Sequence, residues 1–199
     1  MSEEKPSRKQ QILEALCSEL EKSPGERITT AGLAKAVGVS EAALYRHFPS
    51  KARMFEGLIE FSEESIFSLI NRILEDHAPV EKRCEHIMTL LLGFSAKNPG
   101  ITRILLGDAL VGETERLHAR IGQFYDRLQT QLKQVLREGQ ARGELPEELD
   151  ATAVANLLLS IAEGRMGQYV RSGFADSPMT YWEKQWPLIR RGLFEGSGR

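Results

Sequence analysis

The side chains best equipped for chemistry crowd into one short stretch. In SEAALYRHFPSKAR, positions 40–53, Tyr45, Arg46 and His47 stand in a row before Pro49, and Lys51 and Arg53 follow it. Arginine can bond guanine edges, tyrosine can reach phosphate, and alanines such as Ala42 and Ala43 permit close approach to thymine methyl groups. Recognition of a duplex is therefore the chemistry on offer. Charge is concentrated in the same place. Positions 27–53 carry a net +4, whereas the 199-residue chain carries −2, so the remainder carries −6. A chain polarised in this way presents a polyanion with one favourable end, even though its overall pI of about 6.1 is unremarkable.

No other set of residues competes. His47, His77, His86 and His118 have no metal-ligand spacing, Cys84 stands two residues from His86 without a CxxC partner, and no phosphate loop or nucleophile elbow occurs. The expectation is a protein with no catalytic residues, no metal and no cofactor: not an enzyme. Two cysteines, Cys17 and Cys84, suit a reducing cytosol. No apolar run approaches the roughly 20 residues that span a bilayer, and MSEEKPSRKQQ at the start lacks a secretory apolar stretch. These features predict a cytoplasmic protein. A content of 41% hydrophobic and 27% charged residues predicts that it folds.

The elements that must position the basic stretch are helices. Ile12, Leu13, Leu16 and Leu20 recur at spacings of three and four, predicting helix 1 from Ser7 to Lys22, stopped by SPGE at 23–26. Thr29 or Thr30 can cap helix 2, which runs through Val37 and closes at Gly38 in the left-handed conformation. Ser40 caps helix 3, with Glu41 suiting the helix dipole, and helix 3 ends near His47. Ser50 caps a longer helix 4 with Met54, Phe55, Leu58, Ile59, Phe61, Ile66, Leu69, Ile70 and Ile73 expected on its inner faces. Breaks at Pro79, 97–100, 107–112, 142–150 and 173–178 leave helices of about 16, 8, 28, 22 and 16 residues. The fold class is all-α, with about nine helices. Residues 1–50 are expected to form an N-terminal three-helix DNA-binding domain, and 51–199 a C-terminal helical dimerisation and partner-binding domain.

Positions 29–48 read as a helix-turn-helix: Ala34 is small where helices cross, Gly38 turns the chain, and Leu33, Val37, Val39, Leu44 and Phe48 form the small core. Leu44 and Phe48, four apart, point inward together. Glu41, Ala42, Tyr45 and Arg46 then face outward, flanked by Ala43 and His47. Lys51 and Arg53 meet phosphate near the start of helix 4, and Thr29 and Thr30 do so at the start of helix 2. The alternative is a tight helical corner with Tyr45 and His47 packed inside, which leaves the local +4 unexplained.

RITTAGLAKAVGVSEAALYRHFPSKARMF resembles the DNA-binding domain of the TetR family of helical dimers, whose third helix ends in a Tyr-x-His-Phe stretch; LYRHFPSK matches it. With LLLGFSAKNPGITRILLGDAL and the weaker QWPLI, the likeness extends along nearly the whole chain to the nucleoid occlusion branch of that family. The resemblance implies a nucleoid-associated homodimer that binds palindromic chromosomal sites and, when bound to DNA, disrupts polymers of the division protein FtsZ. It implies an FtsZ-binding surface at Phe61, Leu90, Gly93, Lys97 and Asn98. At one further position relatives have arginine where this chain has Leu69, with Arg72 a turn on. Phe61 and Leu90 would give an apolar floor and Arg72 and Lys97 a cationic rim for an acidic-hydrophobic tail, although apolar residues at helical spacing are ordinarily core.

The long pattern at 113–141, with Leu117, Ile121, Phe124, Leu128, Leu132, Val135 and Leu136, fits either a coiled coil or one wall of a bundle. Helices 8 and 9 offer the dimer surface: NLLLSIAEGRMGQYV brings leucines together with Ala162, Gly164 and Gly167, and Trp182 and Trp186 follow. A two-fold pair of reading helices would sit roughly 34 to 36 Å apart. The alternative function is a ligand-responsive transcriptional repressor of the same family, which would need an apolar internal pocket among helices 4 to 8.

Overall fold

The structure is a computed structural model that describes residues 7–22 and 28–194. The expected stop at 23–26 lies outside the described residues, as does Arg27. Nine α-helices and one 3-10 turn occur among those described, with no strand: α1 Arg8–Lys22, α2 Thr30–Val37, α3 Glu41–His47, α4 Lys51–Glu75, α5 Val80–Lys97, α6 Pro99–Leu105, the 3-10 turn Asp108–Leu110, α7 Glu115–Ala141, α8 Ala151–Arg171 and α9 Trp182–Leu193. The contacts divide the chain into two compact units. The first comprises the described residues up to Glu63 together with Asn98–Ile121, and the second comprises Glu64–Lys97 and the described residues from Gly122 onward. This division differs from a cut at residue 50, because 98–121 folds back onto the N-terminal helices.

In the first unit, Ile12, Leu16 and Leu20 form the fully buried stripe of α1. Burying each of these side chains contributes about 1.5 to 3 kcal/mol. α6 lies close against this helix. A Cβ on Gly100 would fall 2.5 Å from the Cys17 carbonyl oxygen, so only glycine fits there. Arg103, 1% exposed, crosses the same contact: its Nη1 donates to the Leu20 carbonyl at 2.9 Å and its Nε to Asp108 at 2.5 Å. The Leu20 carbonyl, in the last turn of α1, thereby gains a cation, which suits that end of a helix.

In the second unit, α5, α7, α8 and α9 supply the core, with Cys84, Ile87, Leu128, Leu132, Leu158 and Leu159 among its buried residues. Buried Arg83 of α5 donates to Glu138 of α7 at 2.7 Å, and the Trp182 indole donates to Thr89 at 2.9 Å. The 113–141 pattern resolves as a bundle wall: Leu128, Leu132, Val135 and Leu136 are all within 1% of complete burial. α9 is 12 residues long, shorter than the pattern suggested. Tyr181 adopts φ 63° and Phe174 φ 69°, and Arg165 holds the intervening loop through the carbonyls of Pro178 and Thr180. The backbone turns left-handed at Tyr181, so the helix starts only at Trp182.

Candidate nucleic-acid interface

Local capping chemistry builds the reading head. The Thr29 hydroxyl accepts from the Gly32 N–H at 3.1 Å at the start of α2. Gly38, at φ 73°, closes α2 while its N–H reaches the Lys35 carbonyl. Ser40 accepts from the Ala43 N–H at 3.2 Å and opens α3. A long-range bond joins the two helices, for the Thr30 hydroxyl donates to the Glu41 carboxylate at 2.8 Å. The turn is thus fixed at both ends, and Glu41 spends its charge on it.

Leu33, Ala34, Leu44 and Phe48 are buried between the helices, as expected. Val37 and Val39 are only half-buried, because they sit at the edge of the turn. Glu41, Ala42, Tyr45 and Arg46 are exposed, with Ala43 and His47 half-buried beside them. Tyr45 is 42% exposed, so the buried-corner alternative fails at that residue. No hydrogen bond or ion pair holds Arg46 among the described residues. Its guanidinium is exposed and uncommitted among them.

The two basic residues after Pro49 differ. The Lys51 ammonium lies 2.5 Å from the Glu113 carboxylate, donates to the Ile28 carbonyl at 3.0 Å and stands 5.8 Å from the centre of the Phe55 ring. It is an internal link of the first unit, so the expectation of a lysine free to meet phosphate is not met. Arg53, its side chain 52% exposed, pairs with Glu56 at 2.7 Å and remains accessible. Glu56 also receives Arg116 at 3.1 Å, and Arg120 bridges Glu60 and Glu63 at 3.6 and 2.6 Å. This ladder ties the first half of α4 to residues 113–120. Sequence reasoning missed it because its partners lie more than fifty residues apart and carry no local pattern.

The seven residues expected to bind a partner fall in both units. Phe61 and Asn98 belong to the first; Leu69, Arg72, Leu90, Gly93 and Lys97 belong to the second. Phe61 is 48% and Leu69 41% exposed, which corrects their assignment to inner faces of α4. Ile59, Ile66 and Ile70 of the same helix are buried. Arg72 and Lys97 are exposed, while Leu90, Gly93 and Asn98 are half-buried.

Several residues expected on the dimer surface of helices 8 and 9 also need correction. Ala162, Leu158, Leu159, Trp182 and Trp186 are buried inside their own unit, and Gly167 faces its own Arg171. The large apolar residues exposed on these helices are Leu157 on α8 and Leu188 on α9, at 46% and 66%, and Gly164 on α8 is open.

Known proteins agree with this architecture. Residues 12–58 match the model for bacterial regulatory proteins of the tetR family, and residues 80–194 match the SlmA-like model of the tetracyclin repressor-like C-terminal domain. The nucleoid occlusion factor SlmA of Marinomonas sp. (strain MWYL1) is 56% identical over 193 residues, covering 97% of this chain and 98% of its own. The SlmA of Colwellia psychrerythraea is 57% identical over 185 residues, covering 93% of each. Among solved structures, the MbdR regulator from Azoarcus sp. CIB superposes with a TM-score of 0.78 at 16% identity, over 96% of this chain and 99% of its own. The fatty acid degradation regulator FadR from Bacillus halodurans gives 0.77 at 18%, over 96% and 98%. Relatives more than half identical along almost their whole length, joined to matches in both domains, make the chain a member of the TetR family of dimeric DNA-binding regulators, in its SlmA branch, and not an enzyme.

Proposed function

We propose that the protein is a nucleoid occlusion factor: a homodimer that binds palindromic chromosomal sites and, once bound, antagonises FtsZ polymerisation so that no division ring assembles over the nucleoid. The observation that carries this reading is the identity of 53–57% with proteins bearing that name. The geometry of α3 supports the DNA half of it. Ala42 and Ala43 allow the helix deep into a major groove, Arg46 reaches base edges, and Tyr45, His47 and Arg53 contact the backbone. Thr29, Thr30 and Ser40 have their hydroxyls occupied in capping or bridging, so they approach phosphate through backbone N–H groups at helix starts. Glu41 orients the head, and Lys51 acts behind it.

Exposed Leu157 and Leu188, with open Gly164 two turns along α8 from Leu157, support a dimer through α8 and α9. The partner half rests on Phe61, Leu69, Arg72, Leu90, Gly93, Lys97 and Asn98. Two exposed apolar side chains and two exposed cations in that set suit an acidic-hydrophobic tail. Such a protein works in the cytoplasm, on the nucleoid. A fluorescent peptide carrying the FtsZ C-terminal tail, titrated with the DNA-bound protein and followed by anisotropy, tests this surface. Phe61→Ala is expected to weaken binding at least tenfold while leaving DNA affinity unchanged. Equal affinity for wild type and variant would remove Phe61 from the partner surface.

A further inference from the structure

The first unit contains an open groove of about 430 Å³ between α1, α4 and α6. Its floor is apolar: Leu58 and Ile101 are almost fully buried, Leu13 is half-buried beside them, and Phe61 and Asn98 of the proposed partner surface line it as well. Glu14 and Glu21 line it from α1, and no lysine or arginine does so among the described residues. Neither carboxylate has a cation partner among those residues. By contrast, Glu19 on the same helix is paired with Lys22 at 3.1 Å. Glu14 and Glu21 are seven residues apart, which places them on one face about 10 Å from each other along the axis. Cys17 lies between them. Burial, then Glu21, then Glu14 push its thiol up to about 12, so both carboxylates act on the same stretch of groove.

A volume of this size is that of a small-molecule site, and a methylene chain gains by covering the apolar floor. Carboxylates at either end of such a floor favour a cation at either end of the ligand. We propose that the groove binds a free aliphatic diamine or polyamine, its methylenes on Leu13, Leu58 and Ile101 and an ammonium at each of Glu14 and Glu21. The site lies wholly within the first unit; it shares Phe61 and Asn98 with the proposed partner surface, and a titration without FtsZ tests it separately from that reading.

Full-length protein, without DNA or FtsZ, is titrated calorimetrically with diaminobutane, diaminohexane, diaminooctane and diaminodecane, and with octylamine as the singly charged control. Maleimide labelling of Cys17 supplies a second readout, since Cys84 is fully buried and silent. Affinity is expected to peak at diaminooctane, whose extended length is close to the roughly 10 Å axial spacing of the two glutamates. Octylamine, Glu14→Gln and Glu21→Gln are each expected to bind about fivefold more weakly, and the diamines should slow Cys17 labelling in the order of their affinities. Equal affinity across the series, octylamine binding as tightly as diaminooctane, or a Glu14→Gln/Glu21→Gln protein that binds like wild type would each overturn the assignment.

Discussion

Replacing Lys51 by alanine separates two roles that a lysine after a reading helix could play. Its ammonium sits 2.5 Å from Glu113 and 3.0 Å from the Ile28 carbonyl, and the two side chains of the ion pair are 19% and 10% exposed. Removing the cation strands a carboxylate that is nearly shut off from water. Breaking a buried pair from one side costs about 3 to 5 kcal/mol, and residual exposure reduces this to about 2 to 3 kcal/mol. For a chain of this length each kcal/mol moves Tm by about 2 to 4 °C, so a fall of about 4 to 12 °C is expected in a thermal unfolding scan. Lys51→Met combined with Glu113→Leu should recover most of that loss, because it removes both charges and keeps the packing. Operator affinity is then measured against salt. A phosphate contact would take about 1 off the slope of log K against log salt, and Lys51→Ala is expected to leave that slope unchanged. An unchanged Tm with a slope shallower by about one would refute the reasoning and return Lys51 to the DNA.

Other substitutions test the remaining parts of the molecule. Arg46→Ala should relax base preference at one operator position by about 1 to 3 kcal/mol in gel-shift titrations, with little effect on random DNA; equal loss on both would make Arg46 a phosphate contact. Gly100→Ala forces a Cβ to 2.5 Å from the Cys17 carbonyl oxygen and should destabilise the first unit by about 1 to 3 kcal/mol, read by denaturant unfolding. The Arg83 guanidinium, donating to Glu138, holds that carboxylate below its ordinary value of 4.5. Its contribution is therefore complete above about pH 4.5 and lost as pH falls through the lowered value, so wild type and Glu138→Gln should converge in stability on acidification. Leu157→Glu, on the outward face of α8, should shift sedimentation velocity from dimer toward monomer.

Legibility in the sequence followed the range of the interactions. The boundaries of α2 and α3 are readable because Thr29, Gly38 and Ser40 act within three residues of themselves. The inward pair Leu44 and Phe48, and with it the exposed face of α3, follows from helical period alone. Helix 4 was harder. Apolar residues occur on most of its circumference, so periodicity does not separate buried Ile59 from exposed Phe61. The Lys51–Glu113 and Arg103–Leu20 links span 62 and 83 residues and leave no mark on local pattern. Tyr181 and Phe174 enter the left-handed region without being glycine, so no residue type announces the delayed start of α9. The groove beside α1 depends on how three helices meet. Glu14 and Glu21 in sequence are two ordinary surface glutamates.

The central claim, that DNA-bound dimers antagonise FtsZ assembly, is tested most directly by sedimenting polymerised FtsZ with the protein in the presence and absence of its operator DNA. The account predicts that the pellet shrinks markedly only when operator is present, and that Arg46→Ala weakens the effect in proportion to its lost DNA affinity. Polymers that survive equally with and without operator would contradict it and leave a transcriptional repressor as the reading of the same fold.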